Sequence, residues 1–294
     1  MVFDFENIIL NIDSKFRNKT KYQNSSKFSI DLTNPLKNIN SIRLSSIEFP
    51  NVFYTFSTNK NNTTFLIDNI KIEIPSGNYD ANTLIQTINA IIKQLVSYIS
   101  VELVLDYNTG KITIKEKDTN TFNLNFDNDT IYPSLGYLLG FRNNLYESNS
   151  LYTSESILDI IGDNYILIKI NDYGNLINTF SGNKYFGKII IYNNKNTVIF
   201  DNNSNFISKT YNFLQPVNVN KLSIQLTDIY DNEIDMNQLD FSLTIEVEQI
   251  YNYEAKLILE GDINYESKLT LESDINYDNK LSLEQDINYD DNNI

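Results

Sequence analysis

Between positions 241 and 248 the chain reads FSLTIEVE, with Phe241, Leu243, Ile245 and Val247 alternating against Ser242, Thr244, Glu246 and Glu248. A period of two sends successive side chains to opposite faces of a strand, so one face is expected on a core and the other toward solvent. Short β-rich runs recur at 7–13, 28–32, 41–49, 52–56, 64–74, 101–105, 111–115 and 122–126, and again at 165–170, 186–192, 197–200 and 221–227. Their number and spacing predict a mainly β chain built on a jelly-roll-like antiparallel β-sandwich. With 294 residues and 41% hydrophobic content, the chain can bury a sizeable core.

One segment departs from the two-residue period. In GNYDANTLIQTINAIIKQLVSYI (77–99), Leu84, Ile85, Ile88, Ile91, Ile92, Leu95, Val96 and Ile99 recur at offsets of three and four, which predicts an amphipathic helix. Asp80 stands where it can cap the first turn. The following stretch reads as a hairpin around Asn108-Thr109-Gly110, with Gly110 suited to positive φ. Ser134 to Phe141, SLGYLLGF, is read as one helical turn. The expected organisation is therefore a sandwich from residues 1–60 and 149–250, an α+β insertion at 61–148, and a tail at 251–294.

The tail repeats with a period of 12: NYEAKLILEGDI, NYESKLTLESDI and NYDNKLSLEQDI, with Tyr253, Tyr265, Tyr277 and Tyr289 in step. As a helix, each repeat would turn by about 120° from the last, so no apolar stripe forms. As strands, the even period keeps Leu257, Leu259, Leu269, Leu271, Leu281 and Leu283 in phase. Two readings stand: β units that add to a partner, or an acidic tail grown by repeat expansion.

The net charge is −15, of which residues 251–294 carry −8. Neither part has a basic stripe to neutralise phosphates, so no nucleic-acid partner is expected, and anionic membranes are disfavoured on the same ground. There is no Cys and no His. Thiol nucleophiles, histidine-based triads and the usual zinc ligands drop out together. No leader-like segment precedes Asn7, and no apolar run approaches the roughly 20 residues of a membrane span, so membrane insertion is not expected. About one residue in six is Asn, a bias that fits an AT-rich genome and is read as tolerated drift in loops.

Candidate chemistry is sparse. Asp228, Asp231, Glu233 and Asp235 could clasp Ca²⁺, but they lack the ligand alternation and central Gly of an EF-hand and read more simply as a hairpin loop. Carboxylate pairs for glycoside hydrolysis could be drawn from Asp106, Glu116, Asp163 or Asp172. The 9 glycines form no phosphate loop, and SGN at Ser76 and Ser181 reads as turns. Tyr54, Tyr79 and Tyr173 border predicted turns, where they offer exposed contacts. No catalytic, cofactor-binding or metal residue is assigned, and no cofactor is expected.

NIDSKFRN (11–18), FSIDLTNPLKNINSIRLSSIEFPN (28–51), IPSGNYDANTLIQTIN (74–89), LLGF (138–141), INDYG (170–174) and QPVNVNKLSIQLTDIYDNEIDMNQLDFSLTIEV (215–247) together resemble uncharacterised virion structural proteins, of minor capsid or penton type, from giant nucleocytoplasmic large DNA viruses. Phe16 stands where that family pattern has an acid, and the 12-residue repeats lie outside the resemblance. The resemblance implies a non-enzymatic subunit that assembles in the host cytoplasm, with the major capsid protein, other virion proteins and its own copies as partners. Phe49-Pro50-Asn51 would then be a corner at which the chain leaves one strand and re-enters pairing, because Pro lacks a ladder donor. The alternative is a β-rich fibre or attachment module that binds glycans.

Overall fold

The computed structural model describes residues 4–118, 120–173, 177–178, 182–202, 207–208 and 210–251; the 12-residue repeats and Ser181 lie outside them. In chain order the elements are β1 (Asp4–Asp13), β2 (Lys27–Pro50), β3 (Thr64–Ile67), β4 (Ile70–Glu73), α1 (Ala81–Leu95), β5 (Val101–Asp106), β6 (Lys111–Glu116), β7 (Phe122–Asn125), α2 (Leu135–Leu138), β8 (Leu145–Asn149) and β9 (Leu151–Ile157). They continue with β10 (Tyr165–Ile170), β11 (Ile177–Asn178), β12 (Lys184–Tyr185), β13 (Gly187–Ile190), β14 (Val198–Asp201), β15 (Ile207–Ser208), β16 (Tyr211–Thr227) and β17 (Ser242–Tyr251). The fold is mainly β, and every strand pair is antiparallel among the described residues.

The large sheet has the order β1-β17-β2-β16-β10-β13-β15, with β14 also on β2. β2 organises it. Its first half pairs with β16, from Gln225↔Lys27 to Tyr211↔Ile42, and its second half with β17 and β14. Buried side chains from both halves, among them Phe28, Ile39, Leu44 and Phe49, share one core with Ile168, Ile189, Leu226 and Leu243. The sheet therefore curls over its own apolar face to form a sandwich, as the alternation predicts.

Two expected strands, 28–32 and 41–49, are one 24-residue strand. The segment between them carries Pro35, which has no N–H for a ladder and so signals an interruption. Here Pro35, opposite residues 219–221, and Pro216, opposite residues 39–41, each fall in a stretch where the β2–β16 register shifts, so neither proline is asked to donate. The expected strand at 52–56 is absent: beyond Pro50 only Phe56 pairs, through a bridge to Gly77. The expected strand at 64–74 is a hairpin, β3–β4, turning at Asp68 and Asn69 with φ of 49° and 76°.

A second core lies between Phe56 and Tyr152 and takes in Leu158 and Ile160 at its margin. α1 carries it, with Leu84, Ile88 and Ile92 fully buried. Asp80 caps α1 by accepting from the Thr83 N–H at 2.8 Å, and Gly110 turns the β5–β6 hairpin at φ 70°. Asn89 ties helix to strand: its amide donates to Leu103 O at 2.9 Å and accepts from Leu103 N at 2.7 Å. SLGYLLGF forms α2, whose Ser134 cap accepts from Tyr137 N.

The chain passes from one core to the other through residues 51–57, and asparagines satisfy its backbone. Asn51 is buried, donates to Asn193 O and Asn194 O, and holds Thr197 O and Asn196 N through its own main chain. Asn62 donates to Thr55 O and accepts from Ser57 N, Asn78 accepts from Thr55 N, and Asn237 donates to Val52 O. A buried main-chain group without a partner costs about 1–3 kcal/mol. Asn62→Leu, which strands both a donor and an acceptor, is expected to lower unfolding stability by about 2–4 kcal/mol in urea titrations. A loss below about 1 kcal/mol would show that solvent reaches this crossing.

Candidate functional site

A small cleft, about 70 Å³, lies where the two cores meet and is lined by Phe53, Tyr54, Lys60, Tyr132, Asp163 and Asp228, together with Glu233 and Asp235. The side chains arrive from four parts of the chain. Phe53 and Tyr54 follow the Pro50 corner, Lys60 and Tyr132 come from the second core's connections, Asp163 precedes β10, and Asp228 follows β16.

Tyr132 is the hub. Its hydroxyl donates to Asp228 Oδ2 at 2.6 Å and accepts from Asn232 Nδ2 at 2.7 Å, and its ring meets Tyr230 edge-on at 4.9 Å. Lys60 Nζ pairs with Asp163 at 3.2 Å and lies 5.7 Å from the Tyr132 ring centre. Asp228 also accepts from the Tyr230 and Asn232 N–H groups. Burial nevertheless raises its pKa, against the pull of those donors, with the Asp163 charge adding to the rise. Burial likewise raises the pKa of Tyr132, and Asp228 raises it further.

Lys195 closes the same junction. Its ammonium donates to Phe53 O at 3.0 Å and sits 3.9 Å over the Phe53 ring. Burial lowers its pKa from 10.5 to about 8, helped by the charge of Lys60 and opposed by Asp163. Below the folded value both states hold the proton and the burial penalty is at full size. Between about 8 and 10.5 the unfolded chain binds the extra proton, so stability rises with pH in that window. The urea midpoint of the parent relative to that of Lys195→Met should therefore rise from pH 7 to pH 10; a difference constant with pH would refute the shift.

The arrangement consumes its own polar groups: hydroxyl on carboxylate, ammonium on carboxylate, ammonium on carbonyl. It clamps the two cores together. Tyr132→Phe leaves Asp228 buried without its hydroxyl donor, and is expected to cost about 1–3 kcal/mol in urea unfolding.

Of the residues singled out by sequence, the structure brings Asp163 and Asp228 to one cleft, with Glu233 and Asp235 beside them. Asp231 turns elsewhere, accepting from Lys169 Nζ and from Tyr185 OH at 2.9 Å. Glu233 accepts from Ser26 Oγ and Asp235 from Asn237 N. Among the described residues, no group of three carboxylates is placed to hold a metal ion. No hairpin joins β16 to β17, because they flank β2 and do not pair with each other, although within the segment Thr227 and Glu233 bridge antiparallel across a tight turn at 228–232. Asp106 holds the β5–β6 turn through Asn108 N and Thr109 Oγ1, and buried Glu116 accepts from the N–H groups of Ser100, Asp118 and Asn120. Asp172 is exposed in the turn after β10.

Among the tyrosines, Tyr54 lines the cleft and is 37% exposed, Tyr79 donates to Pro75 O at 2.7 Å, and Tyr173 packs at a tilt on Tyr211 and edge-on against Phe213. The first SGN is not a turn: Gly77 bridges Phe56 through two main-chain hydrogen bonds, and Asn78 accepts from Thr55 N. Lys60, Tyr132 and Lys195 were missed because no motif or spacing marks them.

Below the cleft, sharing Asn59, Glu233 and Asp235 with it, an open groove of about 620 Å³ is lined by Arg17, Lys19, Gln23, Asn24 and Gln238. The surface elsewhere carries apolar side chains on the large sheet: Ile9 and Phe5 on β1, Val198 and Phe200 on β14, and Leu214 on β16 are all more than half exposed. Among the described residues, no helix is long and apolar enough to cross a membrane.

No family model matches the chain, and no curated protein matches it in sequence. Among solved structures, the chain is similar to the crystal structure of a selenomethionine-labelled mavirus penton protein, at 14% identity and a TM-score of 0.48, over 83% of this chain and 100% of that one.

Proposed function

We propose that this chain is a non-enzymatic virion structural protein, a minor capsid or penton-type subunit that works by assembly in the host cytoplasm. Its partners are the major capsid protein or other virion proteins, together with further copies of itself. The observation that carries the reading is the placement of exposed apolar side chains on strands of the large sheet. Phe5 and Ile9 line one side of it and Val198 and Phe200 another, where burial against a neighbouring subunit would remove them from water. The cleft between the cores supports the same reading, since its charged groups bind one another and hold the shape of the subunit. The segments that carry the family resemblance supply β2, β16, β17 and the Pro50 corner, the frame of that sheet.

Mass spectrometry of purified particles of the encoding virus, normalised to the major capsid protein, tests the proposal. A reproducible fixed ratio is expected, very low for a vertex subunit and higher for one in the facets. Absence from clean particles would overturn it. A glycan-binding attachment module is the second reading, favoured by the groove of side-chain amides and charges beside Tyr54. It predicts saturable binding on a glycan array that Tyr54→Ala and Gln238→Ala abolish.

A further inference from the structure

β1 lies at one end of the large sheet, opposite β15, and among the described residues no strand pairs with its second edge. Proteins usually blunt such an edge with proline, lysine or a bulge, because its unpaired N–H and C=O groups invite another chain. β1 carries neither residue, its charges at Asp4, Glu6 and Asp13 leave positions 7–12 uncharged, and its ladder with β17 runs without a register shift from Asp4↔Tyr251 to Asp13↔Ser242. Ile9, on the solvent side, is 71% exposed, while Ile8 and Leu10 on the core side are only partly covered. Ten residues at about 3.4 Å each give an open edge of about 34 Å.

We propose that this edge pairs with the β1 edge of a second copy of the chain, antiparallel, about a two-fold axis through Ile9. An axis normal to the sheet keeps core side on core side, so residues of equal parity must face each other. Centred on Ile9, the register sets Ile9 against Ile9, Ile8 against Leu10, Asn7 against Asn11, Glu6 against Ile12 and Phe5 against Asp13. The strand is acidic and has no base, so like charges must be kept apart. In this register Glu6 and Asp13 each face an uncharged residue. Moving the axis to Ile8 or Leu10 sets Ile9 against an asparagine and shortens the apolar contact. The self-complementary spacing of apolar and acidic residues is the argument for a second copy. A strand from the acidic residues 251–294, net −8, would bring further acids to the same edge.

The chain has no cysteine, so a single introduced thiol reports on one position. In the full chain, Ile9→Cys is expected to give a disulfide-linked dimer as the main product of mild oxidation. Asn7→Cys alone places its two thiols about 14 Å apart, four residues along the strand, and should stay unlinked. The double variant Asn7→Cys/Asn11→Cys should link. Ile9→Lys, at an exposed position that leaves folding intact, puts two ammonium groups on the axis and is expected to halve the mass of the parent oligomer in light scattering. Three results would overturn the proposal: Ile9→Cys linking no faster than Asn7→Cys, a parent mass unchanged by Ile9→Lys, or Ile9→Cys linking instead to a thiol placed in the C-terminal repeats. Self-pairing and the virion reading fail separately. Cross-linked dimers of a protein absent from particles would remove only the latter, and an unlinked virion protein only the former.

Discussion

Arg17→Met is expected to lower unfolding stability by about 3–5 kcal/mol, the usual cost of leaving one partner of a buried charge pair alone. The Arg17 side chain is 4% exposed and pairs with Asp240. Its other donors go to three main-chain carbonyls: Ser14 O at 2.9 Å, Tyr22 O at 3.0 Å and Gln23 O at 3.2 Å. Asp240 is also held by Ser14 Oγ, and Ser14 exchanges main-chain and hydroxyl hydrogen bonds with Phe241. One guanidinium thus pins the connection from β1 to β2 onto the start of β17. Lysine has the charge but not the fork of donors, so Arg17→Lys should fall between parent and Met variant. The pair Arg17→Met with Asp240→Leu should lose less than the sum of the single changes, because no orphan charge remains. Urea titrations of the four proteins test this. A loss under about 1 kcal/mol for Arg17→Met would mean that water replaces the guanidinium.

The second large effect is expected at Gly140, which ends α2 at φ +98°. A Cβ there would stand 2.3 Å from Ser156 O, a main-chain atom that cannot swing aside, since Ser156 N donates to Gly140 O at 2.9 Å. Gly140→Ala combines a left-handed backbone, about 1–2 kcal/mol, with overpacking, about 1–3 kcal/mol, so a loss of about 3 kcal/mol or more is expected. Gly182 provides the comparison, with φ +82° and nothing within 4 Å of its ideal Cβ. Gly182→Ala should lose only the backbone part. Equal losses at the two positions would show that close approach to Ser156 is not what requires glycine.

Much of the local structure was legible. β17, the α1 cap at Asp80, the turn at Gly110 and the short α2 all follow from periodicity or a capping residue whose partner lies within a few positions. The long β2 was not legible, because Pro35 reads as a break unless the register shift between Val219 and Lys221 on the facing strand is known. Asparagine misled in another way. Its abundance reads as drift, yet Asn51, Asn62, Asn78 and Asn237 hold the main chain where it crosses between cores. Only the partner of each amide separates a structural Asn from a tolerated one. The junction was half legible: Asp163 and Asp228 stood among many acids, while Tyr132 and Lys195 carried no signal.

By itself the sequence determined the mainly β class, the one amphipathic helix and the turns, because period, cap and positive φ are set by neighbours a few residues away. Only the tertiary structure decided that β2 runs unbroken between β16 and β17, that Tyr132 meets Asp228, and that no described strand pairs with the second edge of β1. Those outcomes join residues about a hundred or more positions apart. They are selected by shared burial and by the need to pair each buried polar group, conditions that no short stretch of chain contains.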